Sequence, residues 1–187
     1  PGTFSVMNAL AAAKAAHFFG VSYETSAKAL AGLKRIPGRA ERIERGQPFV
    51  AVVDYAHTPD SLEALYAAYP GRKICVLGNS GGGRDGWKRP EMGRIADERC
   101  AEVILTDEDP YDEDPRQIVG AMAAGMKRTP RIIMDRREAI RAALREAGAG
   151  DTVLISGKGT DPYIMRADGA KEQWSDSKVV GEELEYL

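Results

Sequence analysis

Four short stretches combine residue types that could hold a small charged molecule. The first, Gly78-Asn79-Ser80-Gly81-Gly82-Gly83-Arg84-Asp85, is followed by Lys88 and Arg89 before Pro90. Consecutive glycines let a backbone approach a ligand closely, and Arg84 offers a planar fork for a carboxylate or phosphate. No Gly-Lys-Ser/Thr ends the loop, so it is not a Walker A sequence, and its spacing also fails the dinucleotide fingerprint. Read alone, it serves equally as a flexible turn with solvated charges. The second stretch, 107–114, places six carboxylates around Pro110 and Tyr111. Such a run is either a solvated acidic loop or a partner for an ammonium group, and no metal-ligand pattern lies within it.

The third stretch is Asp54-Tyr55-Ala56-His57-Thr58-Pro59-Asp60. Thr58 or Asp60 can cap a helix that Pro59 starts, which leaves Asp54 and His57 unexplained. The other histidine, His17, lies in an alanine-rich helical stretch and reads as structural. The fourth stretch, Gly157-Lys158-Gly159-Thr160-Asp161, sets an ammonium between two flexible backbone positions, or is a plain glycine turn with a surface lysine.

These loops need a scaffold, and the apolar pattern predicts one. Short apolar runs suited to buried parallel strands occupy 49–53, 74–77, 103–105, 132–134 and 153–155. Helical patterns occupy 61–69, 91–99, 117–127 and 136–147 between them. Alternation of this kind predicts an α/β fold, a Rossmann-like, mostly parallel sheet with helices on both faces. Ligands of such sheets gather beyond the carboxyl ends of the strands, where all four loops fall. Near the end, 163–165 and 172–174 flank Asp168-Gly169 as a hairpin, and a helix over 178–187 closes the chain. Ahead of Pro37-Gly38, helical patterns at 6–19 and 25–33 form a hairpin too poor in apolar surface to fold alone.

The 187 residues carry 26 Lys+Arg against 28 Asp+Glu, a net charge of −2, with 43% hydrophobic and 29% charged residues. That mix excludes intrinsic disorder, and the lack of a basic surplus argues against a nucleic-acid partner. No apolar run reaches the ~20 residues of a membrane helix, and no signal peptide is evident. A cytoplasmic protein without a membrane partner is expected. Cys75 and Cys100 are too few for a disulfide framework and read as small core residues. Pro1 is no initiator, so the chain is expected to be a piece of something longer.

Taken together, the motifs resemble the C-terminal part of a Mur ligase, most closely the MurE type. Asn8-Ala9-Leu10-Ala11-Ala12 is similar to the helix ending that family's central ATP-binding domain, and Pro37-Gly38-Arg39-Ala40-Glu41-Arg42 to its Pro-Gly-Arg-x-Glu junction. Residues 54–60, 81–90, 106–115 and 157–159 match further motifs in order. The resemblance divides the chain into a helical tail of the ATP-binding domain at 1–36 and an amino-acid-binding C-terminal domain at 37–187. It implies an ATP-dependent ligase of peptidoglycan synthesis, with ATP and Mg2+ as cofactors held mostly by the preceding domain. The γ-carboxylate of D-glutamate in UDP-MurNAc-L-Ala-D-Glu is phosphorylated, and the amine of a diamino acid displaces phosphate.

Carried over by position, Arg84, Asp109, Tyr111, Gly157 and Asp161 fall where the family contacts its amino acid. Asn8, Arg39, Asp54 and His57 fall near the nucleotide. No metal ligand and no catalytic residue is assigned in this piece, which on its own is expected to be inactive. Relatives that add diaminopimelate carry Asp-Asn-Pro-Arg where this chain has Glu108-Asp109-Pro110-Tyr111, and Thr160-Asp161 stands where the family reads His-Glu. Tyrosine cannot grip a second carboxylate and Asp109 would repel one, so an L-lysine-like substrate is expected. Diaminopimelate requires Arg84, Lys88 or Arg89 to supply the contact. The rival reading is a stand-alone α/β nucleotide- or metabolite-binding module without catalysis.

Overall fold

The computed structural model describes residues 2–83 and 85–187. Five strands run parallel: β2 (Val50–Asp54), β3 (Lys73–Leu77), β4 (Glu102–Leu105), β5 (Arg131–Ile132) and β6 (Thr152–Ser156). The short β1 (Glu41–Ile43) joins the edge antiparallel to β2, giving the order β1-β2-β6-β3-β4-β5. The expected Rossmann-like fold class is therefore the observed one. Side chains alternate along each strand, so Val52, Cys75, Leu105 and Leu154 enter one core, while Val53, Val76, Ile104 and Ile155 enter the other.

Three helices cover the first face: α3 (Pro59–Ala67), α4 (Lys88–Arg99) and α5 (Pro115–Ala123). The opposite face is covered by α6 (Arg136–Glu146) and α7 (Asp176–Leu184). Thr58 caps α3 through a reciprocal box with Ser61, and Asp114 and Asp135 cap α5 and α6. The hairpin of β7 (Tyr163–Met165) and β8 (Lys171–Gln173) turns at Asp168, whose φ is 55°. Two helices, α1 (Gly2–Phe18) and α2 (Tyr23–Gly32), precede the sheet and pack on each other, and α1 also contacts α3. Val6, Met7, Leu10, Phe18 and Phe19 stay exposed on them.

Helices α3 and α7 begin two residues ahead of their patterns and end at Ala67 and Leu184 instead of 69 and 187, and three further details depart from the sequence pattern. β1 carries no apolar run and is held by pairing with β2. The fifth strand is shorter and starts one residue earlier than its pattern. Helix α5 stops at Ala123 instead of reaching 127, because Asp97 captures the amides of Lys127 and Arg128 and the chain turns at Gly125 against Pro90.

The cysteines require a correction. Both are buried in one core cluster as expected, yet Cys75 on β3 and Cys100 at the C-terminus of α4 are joined as a disulfide, Cα to Cα 6.1 Å. Composition could not reveal the pair, since only the strand–helix return brings the two positions together. Closing a loop with a sequence separation of 25 restricts the unfolded chain, so the Cys75→Ala/Cys100→Ala double variant should lose about 3 kcal/mol in urea unfolding. Unchanged stability would mean that the bond contributes nothing to the fold.

Candidate functional site

At the carboxyl edge of the sheet the loops after β3, β4 and β6 meet around a buried cation. Lys158, 1% exposed, donates to both oxygens of Asp109 at 2.7 Å and lies 3.8 Å from Asp161 Oδ2. Asp109 Oδ1 also accepts from the Met165 amide at 2.8 Å. Asp109 is thus turned into the protein with its carboxylate occupied, whereas the Asp161 side chain remains 42% exposed. The glycine loop is strapped down from the same side. Gly81 N donates to the Asp109 carbonyl at 2.7 Å, and Gly83 N to Glu113 Oε1 at 2.6 Å. Arg89 completes the strap, 2.9 Å from Glu113 Oε2 and 3.3 Å from the Ser80 carbonyl.

Beneath this layer a second buried cation fixes the strand ends. Arg136, at the start of α6, bonds Asp176 through Nε at 2.8 Å and Nη2 at 2.7 Å. It also donates to the carbonyls of Ser156 at 2.9 Å and Asp107 at 3.3 Å, tying β6 to the loop after β4. Between the two cations lies Glu108, 2% exposed. Its Oε1 accepts from Ser80 Oγ at 3.1 Å, while Oε2 has no partner among the described residues. Burial pushes the Glu108 carboxyl up to about 7; Arg136 and Lys158 pull against that rise and the Asp109 charge adds to it. Gly157, with φ of 110°, passes directly over this carboxyl, and a Cβ there would collide with Glu108 Oε2. Glycine is obligatory at that crossing.

The expected nucleotide residues also come together. Asn8, Arg39, Asp54 and His57 all line a cleft of about 1350 Å³ between α1, α3 and the end of β2. Asp54 accepts from the amides of Ala40 at 2.6 Å and Ala56 at 2.8 Å, so it shapes the loop. The Arg39 guanidinium stacks 4.6 Å from the Tyr55 ring centre. His57 Nδ1 lies 2.8 Å from the Tyr55 carbonyl, which can only accept, so Nδ1 carries the proton and Nε2 is left for a ligand. Tyr55 joins the two regions: a Cβ on Gly159 would sit 2.7 Å from its Cβ. Burial raises the Tyr55 pKa, helped by the nearby charge of Asp161 and opposed by Arg39.

Of the expected amino-acid set, Asp109, Tyr111, Gly157 and Asp161 are gathered here, and Arg84 lies outside the described residues. Tyr111 adopts a left-handed φ of 52°, its amide donates to the Met165 carbonyl at 3.2 Å, and its ring faces Gly82. Sequence reasoning passed over Tyr55, Glu108, Arg136, Arg166 and Asp176. Glu108 was visible as one carboxylate of six, and nothing in its spacing set it apart. Among the described residues no group of three or more potential metal-ligating side chains assembles, and no helix is long and apolar enough to cross a membrane.

The family model described as Mur ligase, glutamate ligase domain, matches residues 38–159. The UDP-N-acetylmuramoyl-L-alanyl-D-glutamate--2,6-diaminopimelate ligase of Chlorobaculum tepidum is 46% identical over 187 residues, covering 96% of this chain and 37% of that protein. The ligase of the same name from Syntrophomonas wolfei is 42% identical, covering 98% and 39%. A solved structure of such a diaminopimelate ligase superposes with a TM-score of 0.74 at 35% identity, over 99% of this chain and 39% of that one. A pseudomurein peptide ligase type C from Methanothermus fervidus shares the fold, with a TM-score of 0.68 at 21% identity over 100% and 36% of the two chains. The chain spans little more than a third of the curated relatives it matches.

The Glu108 carboxyl gives a pH signature. Raised from 4.5 to about 7, it keeps its proton in the fold, so its contribution is intact in acid and is lost as pH climbs across that interval. Glu108→Gln should therefore gain on the parent chain between pH 5 and pH 8, by on the order of 2 kcal/mol. Urea unfolding at the two pH values measures it, and a difference independent of pH would contradict the assignment.

Proposed function

The chain belongs to the Mur ligase family, and from that premise we propose that it forms the amino-acid-accepting part of an ATP-dependent ligase. Its substrates would be UDP-N-acetylmuramoyl-L-alanyl-D-glutamate and a diamino acid, the pair of the peptidoglycan-building relatives. The observation that carries this reading is the adjacency of two unlike regions, which share Tyr55. A cleft lined by Arg39, His57 and Tyr55 adjoins, across the packing of Tyr55 on Gly159, the strand-end cluster of Lys158, Asp109 and Asp161. Amide formation between an activated acid and an amine needs both reactants fixed side by side.

In this reading the half-exposed Asp161 carboxylate receives an ammonium group of the incoming amino acid, and Lys158 orients it from behind. Asp109 acts through Lys158 and Met165 and holds the pocket wall. Arg39 stacked on Tyr55, the outward His57 Nε2 and Asn8 suit the base and ribose of a nucleotide. ATP supplies the phosphoryl group that activates the acceptor carboxylate. No Mg2+ ligand is assigned among the described residues. We assign 1–36 to the ATP-binding domain, since α1 buries no residue of its own and α2 only Ser26.

Asp109 bears on the choice of amino acid. Its charge is compensated by a buried lysine, so the repulsion expected from sequence does not reach a substrate carboxylate. Together with the name that the relatives carry, this supports diaminopimelate over L-lysine as the substrate we propose. The test is phosphate release by the full-length enzyme with ATP, the UDP-linked acceptor and each amino acid in turn. Release that depends on diaminopimelate is expected, with none from residues 1–187 alone. Tight nucleotide binding without amino-acid-dependent release would favour a binding module instead.

A further inference from the structure

Diaminopimelate differs from lysine by one carboxylate at its far end, so an enzyme that uses it needs a cation for that group. Among the described residues, the cations bonded into the strand-end loops are mostly committed. Lys158 and Arg136 are buried in ion pairs, and Arg89 clamps the glycine loop to Glu113. Arg166 is paired as well, with Asp107 and Glu172, but its side chain is 35% exposed and its Glu172 partner 49% exposed.

We propose that Arg166, supplied by the β7–β8 hairpin, is the specificity-determining cation that receives the distal carboxylate of diaminopimelate. This inference rests on the ligase reading above. The hairpin is welded to the acidic loop at three points. Met165 N donates to Asp109, Tyr111 N to the Met165 carbonyl, and Asp168 N to Asp112 Oδ1 at 2.9 Å. Arg166 follows Met165 directly, so its position is fixed relative to Tyr111, the residue expected to lie against the substrate. One edge of its guanidinium is anchored through Nη1 on Asp107.

The other edge has a replaceable partner. Nε and Nη2 both reach the same oxygen of Glu172, at 2.9 and 2.6 Å, and the Glu172 side chain is 49% exposed. A single oxygen shared by two donors falls short of the fork geometry in which each N–H meets its own oxygen. An ion pair that exposed contributes little to stability, so yielding it to a substrate carboxylate is inexpensive. Glu172 therefore keeps the guanidinium extended and pointed until the substrate arrives.

The test is the ratio of kcat/KM for diaminopimelate over L-lysine in the full-length enzyme and in its Arg166→Gln, Arg166→Lys and Glu172→Gln variants. Arg166→Gln should lower the ratio at least tenfold, mainly through the KM for diaminopimelate, and Arg166→Lys should restore part of it. Glu172→Gln, which removes the competing carboxylate, should lower the KM for diaminopimelate two- to threefold. That variant decides the matter by itself if substitutions at Arg166 fail to fold. A ratio unchanged within twofold in the folded variants, or a parent enzyme that ligates only lysine, overturns the role of Arg166 and leaves the ligase reading standing. A parent enzyme that ligates neither amino acid overturns both.

Discussion

A charge withdrawn from water must be paired or neutralised, and the edge of this sheet is built around that constraint. The loops after β4 and β6 and the starts of α6 and α7 bring Lys158, Asp109, Glu108, Arg136 and Asp176 into a layer that solvent scarcely reaches. Lys158 is paired with Asp109, Arg136 with Asp176, and burial raises the Glu108 carboxyl to about 7, so that it keeps a proton well above the ordinary carboxylate range. Each arrangement fixes a loop. The lysine pair locks the turn after β6 onto the acidic loop after β4, and the arginine pair brings α6, α7 and two strand ends to one point. Trp174 adds a bond from Nε1 to Asp176 Oδ1 at 2.8 Å, fastening the chain beyond the hairpin to the same place.

Rigidity beneath permits exposure above. The buried layer sets the positions of the loops that carry the half-exposed groups Asp161 and Arg166. Backbone amides do much of the clamping: Gly81, Gly83, Ala40, Ala56 and Met165 each donate to a loop oxygen. The two regions of the site meet at Tyr55, whose neighbour Gly159 gives the ring room. Small backbone positions and buried ions thus set distances that flexible surface side chains could not hold.

Much of this was legible in the residues. Apolar runs of four or five separated by amphipathic stretches marked the parallel sheet, and the rule that ligands gather at carboxyl strand ends marked the right loops. The edge strand β1 escaped because Glu41-Arg42-Ile43 has no apolar run and owes its conformation to β2. Cys75 and Cys100 were read as separate because their meeting depends on how α4 returns to the sheet. Asp109 was read as an exposed ligand because a sequence shows a charge and not its partner. Lys158 lies 49 residues away, and only tertiary structure brings the two together. Arg166 and Glu172 went unremarked for the same reason: they are six residues apart, and only the hairpin brings them together.

Tyr111 carries a consequence for anyone engineering the protein. A bulky side chain on a left-handed backbone is costly, by about 1 kcal/mol or more, and glycine or asparagine would relieve the cost. Stability-driven redesign would single out this position and erase the ring that faces Gly82. Thermostabilising campaigns should hold residue 111 fixed and seek their gains on the exposed positions of α5 and the C-terminal half of α6.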